Sequence, residues 1–523
     1  MQHVDAIDLE VFRHRCAAIA EEMGAALGRS AFSTNIKERR DFSCAVFDAA
    51  GRMVAQAAHI PVHLGAMPRS VEAVLNRYTL APGDLVLLND PYLGGTHLPD
   101  LTTVAPVYDG DRLLGYTATR AHHADIGGMV PGSMPMSREL YQEGLIIPPL
   151  LLCEAGRINE PLLELICRNS RTPTERRGDL AAQLACHRVG EQRLVELAGQ
   201  LGHQRVAELM QALLDYGERH MRALIAGIPD GRYPFSDSLD DDGFAGPLAI
   251  CVSITIAGEQ ATIDFAGTAA QCRGPLNAPR AVTESVVLYC FRCLGSADMP
   301  ASAGAFAPLT ILVPGGCLLA PEQPAPVAGG NVETAQRVAD VVFGALAQAL
   351  PQRIPAASAG TMNNWTFGGI RNGTPFAYYE TLGGGMGARP TADGLSGVQT
   401  HMTNTLNTPV EALERQFPVR MRRYGLRSGS GGNGSYRGGE GLIREVEFLA
   451  PVTVSLLTER RVGAPYGLGG GEPGACGRNT LIAADGSVQN LPGKCTIELE
   501  TGAAIRLETP GGGGFGDQER KRA

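Results

Sequence analysis

The chain has 523 residues with 45 Lys and Arg against 54 Asp and Glu, a formal charge of −9, and no basic stripe of the kind that marks a nucleic-acid binder. Its 66 glycines stand beside 44% hydrophobic residues, a globular proportion that excludes collagen-like and disordered sequence. Twelve cysteines in this length are too dilute for a disulfide framework.

Asp8 to Leu27 sets Leu9, Phe12, Cys16, Ile19, Met23 and Leu27 at spacings of three and four, which predicts an amphipathic helix. Asp5, Asp8, Glu10, Glu21 and Glu22 interrupt any apolar run there, so no signal peptide is expected and the expected location is cytoplasmic. Ser43–Phe47, the turn Asp48–Gly51 and Arg52–Gln56 read as a hairpin, and Leu85–Asn89 and Asp111–Arg120 as further strands. His59 and His63 flank Pro61, which excludes a regular helix interior. On a strand the two imidazoles would share a face and meet a substrate.

From about Pro161 to Ile228 the spacing turns helical, most clearly over Leu180–Leu201 and Val206–Leu224. The acidic cluster Asp237, Asp240, Asp241 and Asp242 then reads as a solvated turn, since it lacks the ligand pattern of a calcium loop. Leu248–Phe265 alternates as strand, and Glu333–Leu350 reads as a helix preceded by Gly329, Gly330 and Asn331. Cys290 and Cys293 form a CxxC without a second pair at zinc spacing. Residues 425–516 hold 23 glycines in 92 positions, yet Phe448, Val452, Val454, Leu456, Ile497, Leu499, Ile505 and Leu507 alternate between the glycine loops, which predicts an ordered β-rich region. The fold class is therefore α+β, a large multi-domain mixed architecture with a glycine-rich, β-rich carboxyl-terminal part. The expected divisions are 1–160 (a metal-site α/β region), 161–235 (helical), 236–424 (mixed α/β with the Gly-Gly-Asn-Val-Glu-Thr helix) and 425–523 (glycine-rich β).

Five of the 11 histidines fall between positions 59 and 123. His97 and Asp100 lie in a turn shaped by Gly94, Gly95 and Pro99, and His122, His123 and Asp125 follow in a second segment. Converging from two loops, they supply the mixed nitrogen and oxygen ligands that zinc, manganese or iron(II) accept; ordinary buried polar pairing is the other reading. Asp41 follows a dense charge run at a strand start, where a solvated helix end is the competing interpretation. There is no Walker A sequence, and the glycine runs do not link a strand to a helix as a dinucleotide fingerprint requires. Any ATP is expected on another chain.

Asn89-Asp-Pro-Tyr-Leu-Gly-Gly-Thr-His-Leu-Pro-Asp100, His122-His-Ala-Asp-Ile-Gly-Gly128, His59-Ile-Pro-Val-His-Leu-Gly-Ala-Met67, Gly329-Gly-Asn-Val-Glu-Thr334 and Thr509-Pro-Gly-Gly-Gly-Gly-Phe-Gly516 together resemble the hydantoinase B/oxoprolinase family over nearly the whole chain. The resemblance implies a B-type subunit of an ATP-dependent cyclic-amide hydrolase, paired with an ATP-binding hydantoinase A-type subunit in an A2B2-type assembly. It implies one divalent metal (Zn, Mn or Fe) on Asp41, His97, Asp100 and His122, with His123 the rival for the last place. His123 or Asp125 would then orient the attacking water or shuttle its proton. Asn331 and Glu333 would contact substrate or phosphate, or simply cap a helix. Two other readings stand beside this one: a subunit of an acetone- or acetophenone-type carboxylase, for which the chain is short, and a non-catalytic scaffold with a structural metal.

Overall fold

A computed structural model describes residues 5–57, 60–296 and 299–517. The amino-terminal sheet carries the strands β1 (Phe42–Asp48), β2 (Met53–Gln56), β3 (Leu85–Leu88), β4 (Asp100–Asp109), β5 (Arg112–His122), β6 (Leu150–Glu154) and β7 (Arg157–Ile158). Their order is β2-β1-β5-β4-β3-β6-β7, and the pairs along it are antiparallel. Every residue of β1 is buried, because both faces of this sheet are covered. Successive side chains of a strand point to opposite faces, so Cys44 and Val46 join one core and Ala45 and Phe47 the other.

The first of these cores is built by helix α1 (Ala6–Ser30), whose Phe12, Cys16, Ile19, Met23 and Leu27 meet Cys186, Leu194 and Leu197 of a long helix, Pro173–Leu201. Each such side chain removed from water stabilises the fold by about 1.5–3 kcal/mol. The second core lies between the sheet and the helices His63–Leu75 (α2), Arg280–Cys293 (α3) and Ala335–Ala349 (α4). It continues into a second sheet formed by Gly231–Leu239, Leu248–Ala257, Gln260–Asp264 and Leu309–Leu312. A third sheet joins Asn364–Arg371 and Thr374–Glu380 to Val452–Leu457 and Lys494–Leu499, so segments on both sides of residue 424 share one sheet.

The predicted amino-terminal helix, hairpin and long helical region are all present. Three features differ. His63 opens α2 instead of lying on a strand; Pro61 precedes the helix, where its missing N–H costs nothing. The strands β4 and Gly231–Leu239 and the helix α3 carry no sequence signal strong enough to name them. The acidic cluster is not a solvated turn: Asp237 accepts from Arg460 Nη2 at 2.8 Å and Asp240 from the Arg461 and Gly463 N–H groups at 2.6 and 2.9 Å. Asp242 is buried and takes the N–H groups of Phe244, Ala245, Arg273 and Gly274. Asp240 and Asp242 close loops by accepting backbone donors that have no other partner, while Asp237 pairs with a buried guanidinium.

The late glycines pack on one another. A Cβ on Gly512 would stand 2.1 Å from the Met386 oxygen, and one on Gly438 would stand 1.9 Å from the Gly512 oxygen. Backbone lies on backbone at distances only glycine permits.

Candidate metal centre

Three strand ends bring the acidic and imidazole groups together. In the register of β4 with β5, Asp100 faces His122, and the His122 N–H donates to the Asp41 carbonyl at 3.0 Å just before β1 begins. Arg40 adopts a left-handed backbone, φ 54°, which turns the short helix Thr34–Lys37 into the strand and delivers Asp41 to its end. His97 arrives from the loop before β4. Asn89 fixes that loop, donating to the Leu98 and Leu145 carbonyls at 2.8 and 2.9 Å and accepting from Ile147 N–H at 2.7 Å. Gly94, with φ 90°, lies where a Cβ would stand 2.5 Å from the Arg69 backbone, so the turn that aims His97 depends on that residue.

The result is a triangle of donor atoms. His97 Nε2 is 3.2 Å from His122 Nδ1 and 3.2 Å from Asp100 Oδ1, and His122 Nδ1 is 3.3 Å from Asp100 Oδ1. Ligands about 2.1 Å from one ion stand about 3.0 Å apart at octahedral and about 3.4 Å apart at tetrahedral angles, so these spacings suit a single divalent cation. Among the described residues, His97, Asp100 and His122 form the group able to hold one. The cavity beside them is about 20 Å³, room for an ion or a water.

The surroundings complete the fit. His97 Nδ1 lies 3.2 Å from the Ala328 carbonyl oxygen, which can only accept, so Nδ1 carries a proton and Nε2 is the atom that faces the carboxylate. In the neutral ring two electron-rich atoms meet there, and either a second proton on Nε2 or a metal cation between them resolves the repulsion. Asp100 Oδ2 is held by Thr96 Oγ1 at 2.5 Å and Asn331 Nδ2 at 3.4 Å. His63 bridges Ser43 Oγ (2.9 Å, through Nδ1) and Asp100 Oδ2 (3.4 Å, through Nε2).

Burial works against the Asp100 charge, yet His97, His122 and His63 hold its carboxyl well below the usual range. Burial also disfavours the His97 cation, and the Asp100 carboxylate outweighs it, raising that imidazole. His122 is lowered, chiefly by burial. The carboxylate therefore stays ionised and calls for a cation.

Tyr379 stacks on His122 at 4.3 Å between centroids, and the Arg39 guanidinium lies 4.8 Å from the Tyr379 ring centre. Arg39 is fully buried and donates to Tyr379 O and Thr381 Oγ1. This column packs the His122 ring in place. Thr96 and Arg39 lie within the motifs that carry His97 and Asp41, whereas nothing around Tyr379 in sequence marks it.

Asp41, His63 and Asn331 line the same cavity as Asp100 and His122. His123 does not: its Nε2 pairs with Gln183 Oε1 at 2.9 Å, and burial pushes it down to about 3. Asp125 accepts from Gly127, Gly132 and Arg171 N–H and from Arg171 Nη1 at 2.9–3.1 Å. It is buried within its own loop and is absent from the cavity lining. Glu333, pushed up to about 8 by burial, accepts from Met362 N–H at 3.0 Å and Asn364 Nδ2 at 2.6 Å. It meets the centre through Met362, which lines the cavity, and through Asn364, which accepts from the Tyr379 hydroxyl at 2.7 Å. His59 lies outside the described residues. No residue of 425–516 lines the cavity, so the glycine-rich region does not close over it.

The hydantoinase B/oxoprolinase family model matches residues 5–518. The chain belongs to the hydantoinase B/oxoprolinase family. It is 43% identical to 5-oxoprolinase 1 of Arabidopsis thaliana over 98% of this chain, but spans only 42% of that relative's length. The fold of this family member superposes on the ATP-dependent caprolactamase of Pseudomonas jessenii with a TM-score of 0.92 at 29% identity, covering 99% of this chain and 92% of the other. An acetone carboxylase chain shares the fold at 19% identity, with a TM-score of 0.90 over 97% of this chain and 76% of that one. Among the described residues no helix is long and apolar enough to cross a membrane.

Proposed function

We propose that this chain is the ring-opening B-type subunit of an ATP-dependent cyclic-amide hydrolase, acting with a separate ATP-binding A-type partner in an A2B2-type assembly. The observation that carries the reading is the triangle of His97 Nε2, Asp100 Oδ1 and His122 Nδ1; Asp41, which lines the same cavity but stands outside that close group, is the fourth ligand in this reading. The separate partner is supported by the absence of a Walker A sequence and by the share of the Arabidopsis 5-oxoprolinase that this chain leaves unmatched. Likeness to an enzyme described as an ATP-dependent caprolactamase supports the reaction class.

The partner phosphorylates the amide oxygen, which turns an unreactive carbonyl carbon into one that water can attack. When bound, a divalent cation supplies Lewis-acid chemistry and brings the ionisation of water toward neutral pH. His97 and His122 offer neutral lone pairs, and Asp100, pinned by Thr96 and Asn331, offers charge in a fixed direction. As the carbon–nitrogen bond breaks, His63, with a proton on Nε2 against Asp100 Oδ2 at the cavity wall, hands it to the departing ring nitrogen, and a second water releases the acyl phosphate left behind as carboxylate and phosphate. Support for His122 over His123 as ligand comes from the Gln183 bond that turns the His123 ring away. Glu333 and Asn364 anchor the Tyr379 hydroxyl, and Asp125 braces its loop.

The test is to combine the chain with its A-type partner, supply hydantoin, 5-oxoproline or a lactam, and measure ADP together with ring-opened product. Product formed without ATP, or full turnover by Asp100→Ala with the metal absent, refutes the reading.

A further inference from the structure

The metal cavity, about 20 Å³, has room for an ion or a water, and His63, His97, Asp100 and His122 around it are all buried. A cyclic amide does not fit that space, so part of the wall has to move before substrate and metal meet. Most of the wall is built into regular structure. Asp41, Asp100, His122 and Tyr379 stand at strand ends, His63 opens α2, and Asn331 and Val332 belong to the helical turn Gly330–Thr334. Met362 is tied through both backbone groups, donating to Glu333 Oε1 at 3.0 Å and accepting from the Leu382 N–H at 2.9 Å. Ile60 donates to Ser43 Oγ at 3.3 Å and accepts from the His63 N–H at 3.2 Å.

Residues 402–405 are the exception. Met402, Thr403 and Thr405 line the cavity while Asn404 between them is exposed, so an extended chain one residue thick separates the metal centre from the surface. Among the described residues, the backbone of these four makes a single hydrogen bond, from the Thr403 N–H to the Thr400 carbonyl at 3.5 Å. A segment with so few backbone bonds opens at a small part of the cost of unfolding the molecule.

Both ends of the strap are fixed. On one side the Thr400 carbonyl accepts from Gln336 Nε2 of α4 at 2.9 Å. His401, packed on Phe343 at 5.3 Å between centroids, holds a left-handed backbone, φ 56°, which is uncommon outside glycine and recurs at switch segments. On the other side the Leu406 N–H donates to the Arg39 carbonyl at 3.0 Å and Asn407 Nδ2 to the Thr381 carbonyl at 2.7 Å. Between these ends one polar side chain fastens the strap. Thr405 Oγ1 accepts from Arg39 Nη2 at 3.4 Å and pairs with Thr381 Oγ1 at 2.8 Å. Met402 adds an unbranched side chain that can swing without breaking a hydrogen bond.

We infer that residues 402–405 form the gate through which substrate reaches the metal centre, hinged at His401 and Leu406 and latched by Thr405 on Arg39 and Thr381. The inference rests on the reading of the cavity as a metal site and adds how that site is entered. The latch and the site share a residue, since the Arg39 guanidinium also lies beside the Tyr379 ring that stacks on His122.

A thiol on the far wall reports opening without metal, partner or turnover. In the full chain, Val332→Cys places one there, and peptide mass spectrometry follows its alkylation by iodoacetamide apart from that of the native cysteines. Met362→Cys repeats the measurement from a second wall position. With Thr405 in place the thiol is expected to react far more slowly than a free one, at a rate that low urea does not change, the mark of a local opening. Adding Thr405→Val is expected to raise the rate about tenfold, the size of one hydrogen bond to a charged group, and Thr405→Ser, which keeps the hydroxyl, to leave it near the starting value. Ser43→Ala, which frees the opposite wall at Ile60, is expected not to move it. A thiol that reacts as fast as a free one, or a rate that Thr405→Val leaves alone, overturns the proposal. So does a rate that Ser43→Ala or Thr405→Ser raises as much as Thr405→Val, or one that climbs with urea along the unfolding curve. Zinc content, measured separately on each variant, checks the metal reading itself. A chain that holds no zinc yet shows the Thr405→Val acceleration refutes that reading and leaves the gate standing.

Discussion

The Ala328 carbonyl accepts the Nδ1 proton of His97 at 3.2 Å, and this one contact decides which imidazole nitrogen faces the metal centre. Behind it, Glu143 Oε1 accepts from Val327 N–H at 2.9 Å, Ala328 N–H at 3.0 Å and Ser137 Oγ at 2.6 Å. The orientation of His97 is thus set two contacts away, by a carboxylate from a different loop.

Thr96→Val removes the 2.5 Å hydrogen bond to Asp100 Oδ2 while keeping the shape of the side chain. Groups that orient metal ligands typically contribute about 10–100-fold to metal affinity. Competition with a graded chelator is expected to give a loss of that size in zinc or manganese affinity, with the thermal midpoint little changed. Unaltered affinity would remove Thr96 from the machinery of the site.

His63→Gln separates holding a metal from moving a proton. Glutamine can still bond Ser43 and Asp100 but cannot donate and regain a proton near neutral pH. Metal content is expected to stay near that of the wild type, while kcat of the complex falls by about 10²–10⁴, the usual contribution of a positioned acid or base. A fall in metal content proportional to the fall in activity would make His63 a ligand instead.

Asp125→Ala is expected to act on stability and not on metal content. The buried carboxylate satisfies three backbone N–H groups and Arg171 Nη1, and breaking a buried pair of this kind costs about 3 kcal/mol or more. Denaturant midpoints report the first quantity and metal analysis the second. Lost metal with an unchanged midpoint would return Asp125 to the centre.

Much of this arrangement is legible in the sequence because the ligands sit in short motifs whose glycines and prolines announce special backbone. His97 and Asp100 are three apart in a Gly-Gly-Thr-His turn, and the strand that follows carries Asp100 to His122. The hairpin Phe42–Gln56 and the helix Ala6–Ser30 were legible from period alone. What period could not reveal is contact at long separation. Tyr379 lies more than 250 residues from the His122 ring it stacks on, and α3 is buried around most of its surface, so it shows no polar face to give a helical period. His123 and Asp125 share a motif with His122, yet a strand points neighbours to opposite faces, and His123 falls on the Gln183 side.

The glycine-rich region gives a prediction about the fold alone. Gly512→Ala places a methyl group 2.1 Å from the Met386 backbone oxygen, and backbone cannot rotate away as a side chain can. The variant is expected to lose several kcal/mol, the range reached by overpacked or strained cores, and to accumulate as insoluble protein. Gly373→Ala, whose Cβ would meet nothing within 4 Å, carries only the cost of its left-handed backbone, φ 79°, about 1 kcal/mol. Equal midpoints for the two variants would show that the close glycine packing is not what holds this region together.

Glu143 gives the fold a pH dependence of definite sign. Burial pushes its carboxyl up to about 7 from an ordinary 4.5, so the folded state binds a proton more tightly than the unfolded chain does. Its contribution is fully present below about pH 4.5 and is lost as the pH rises toward 7, a swing on the order of 3 kcal/mol at most. Glu143→Gln keeps an acceptor for Val327 and Ala328 and does not titrate. The stability of the wild type relative to this variant is therefore expected to fall between about pH 4.5 and pH 7 and to level off above it, as read from denaturant midpoints at unit pH intervals. Because Ala328 orients His97, metal affinity of Glu143→Gln should stay within about tenfold of the wild type, less than the loss expected for a group that touches a ligand directly. A relative stability that rises with pH would mean that the three donors at Oε1 outweigh burial and that Glu143 stays ionised throughout.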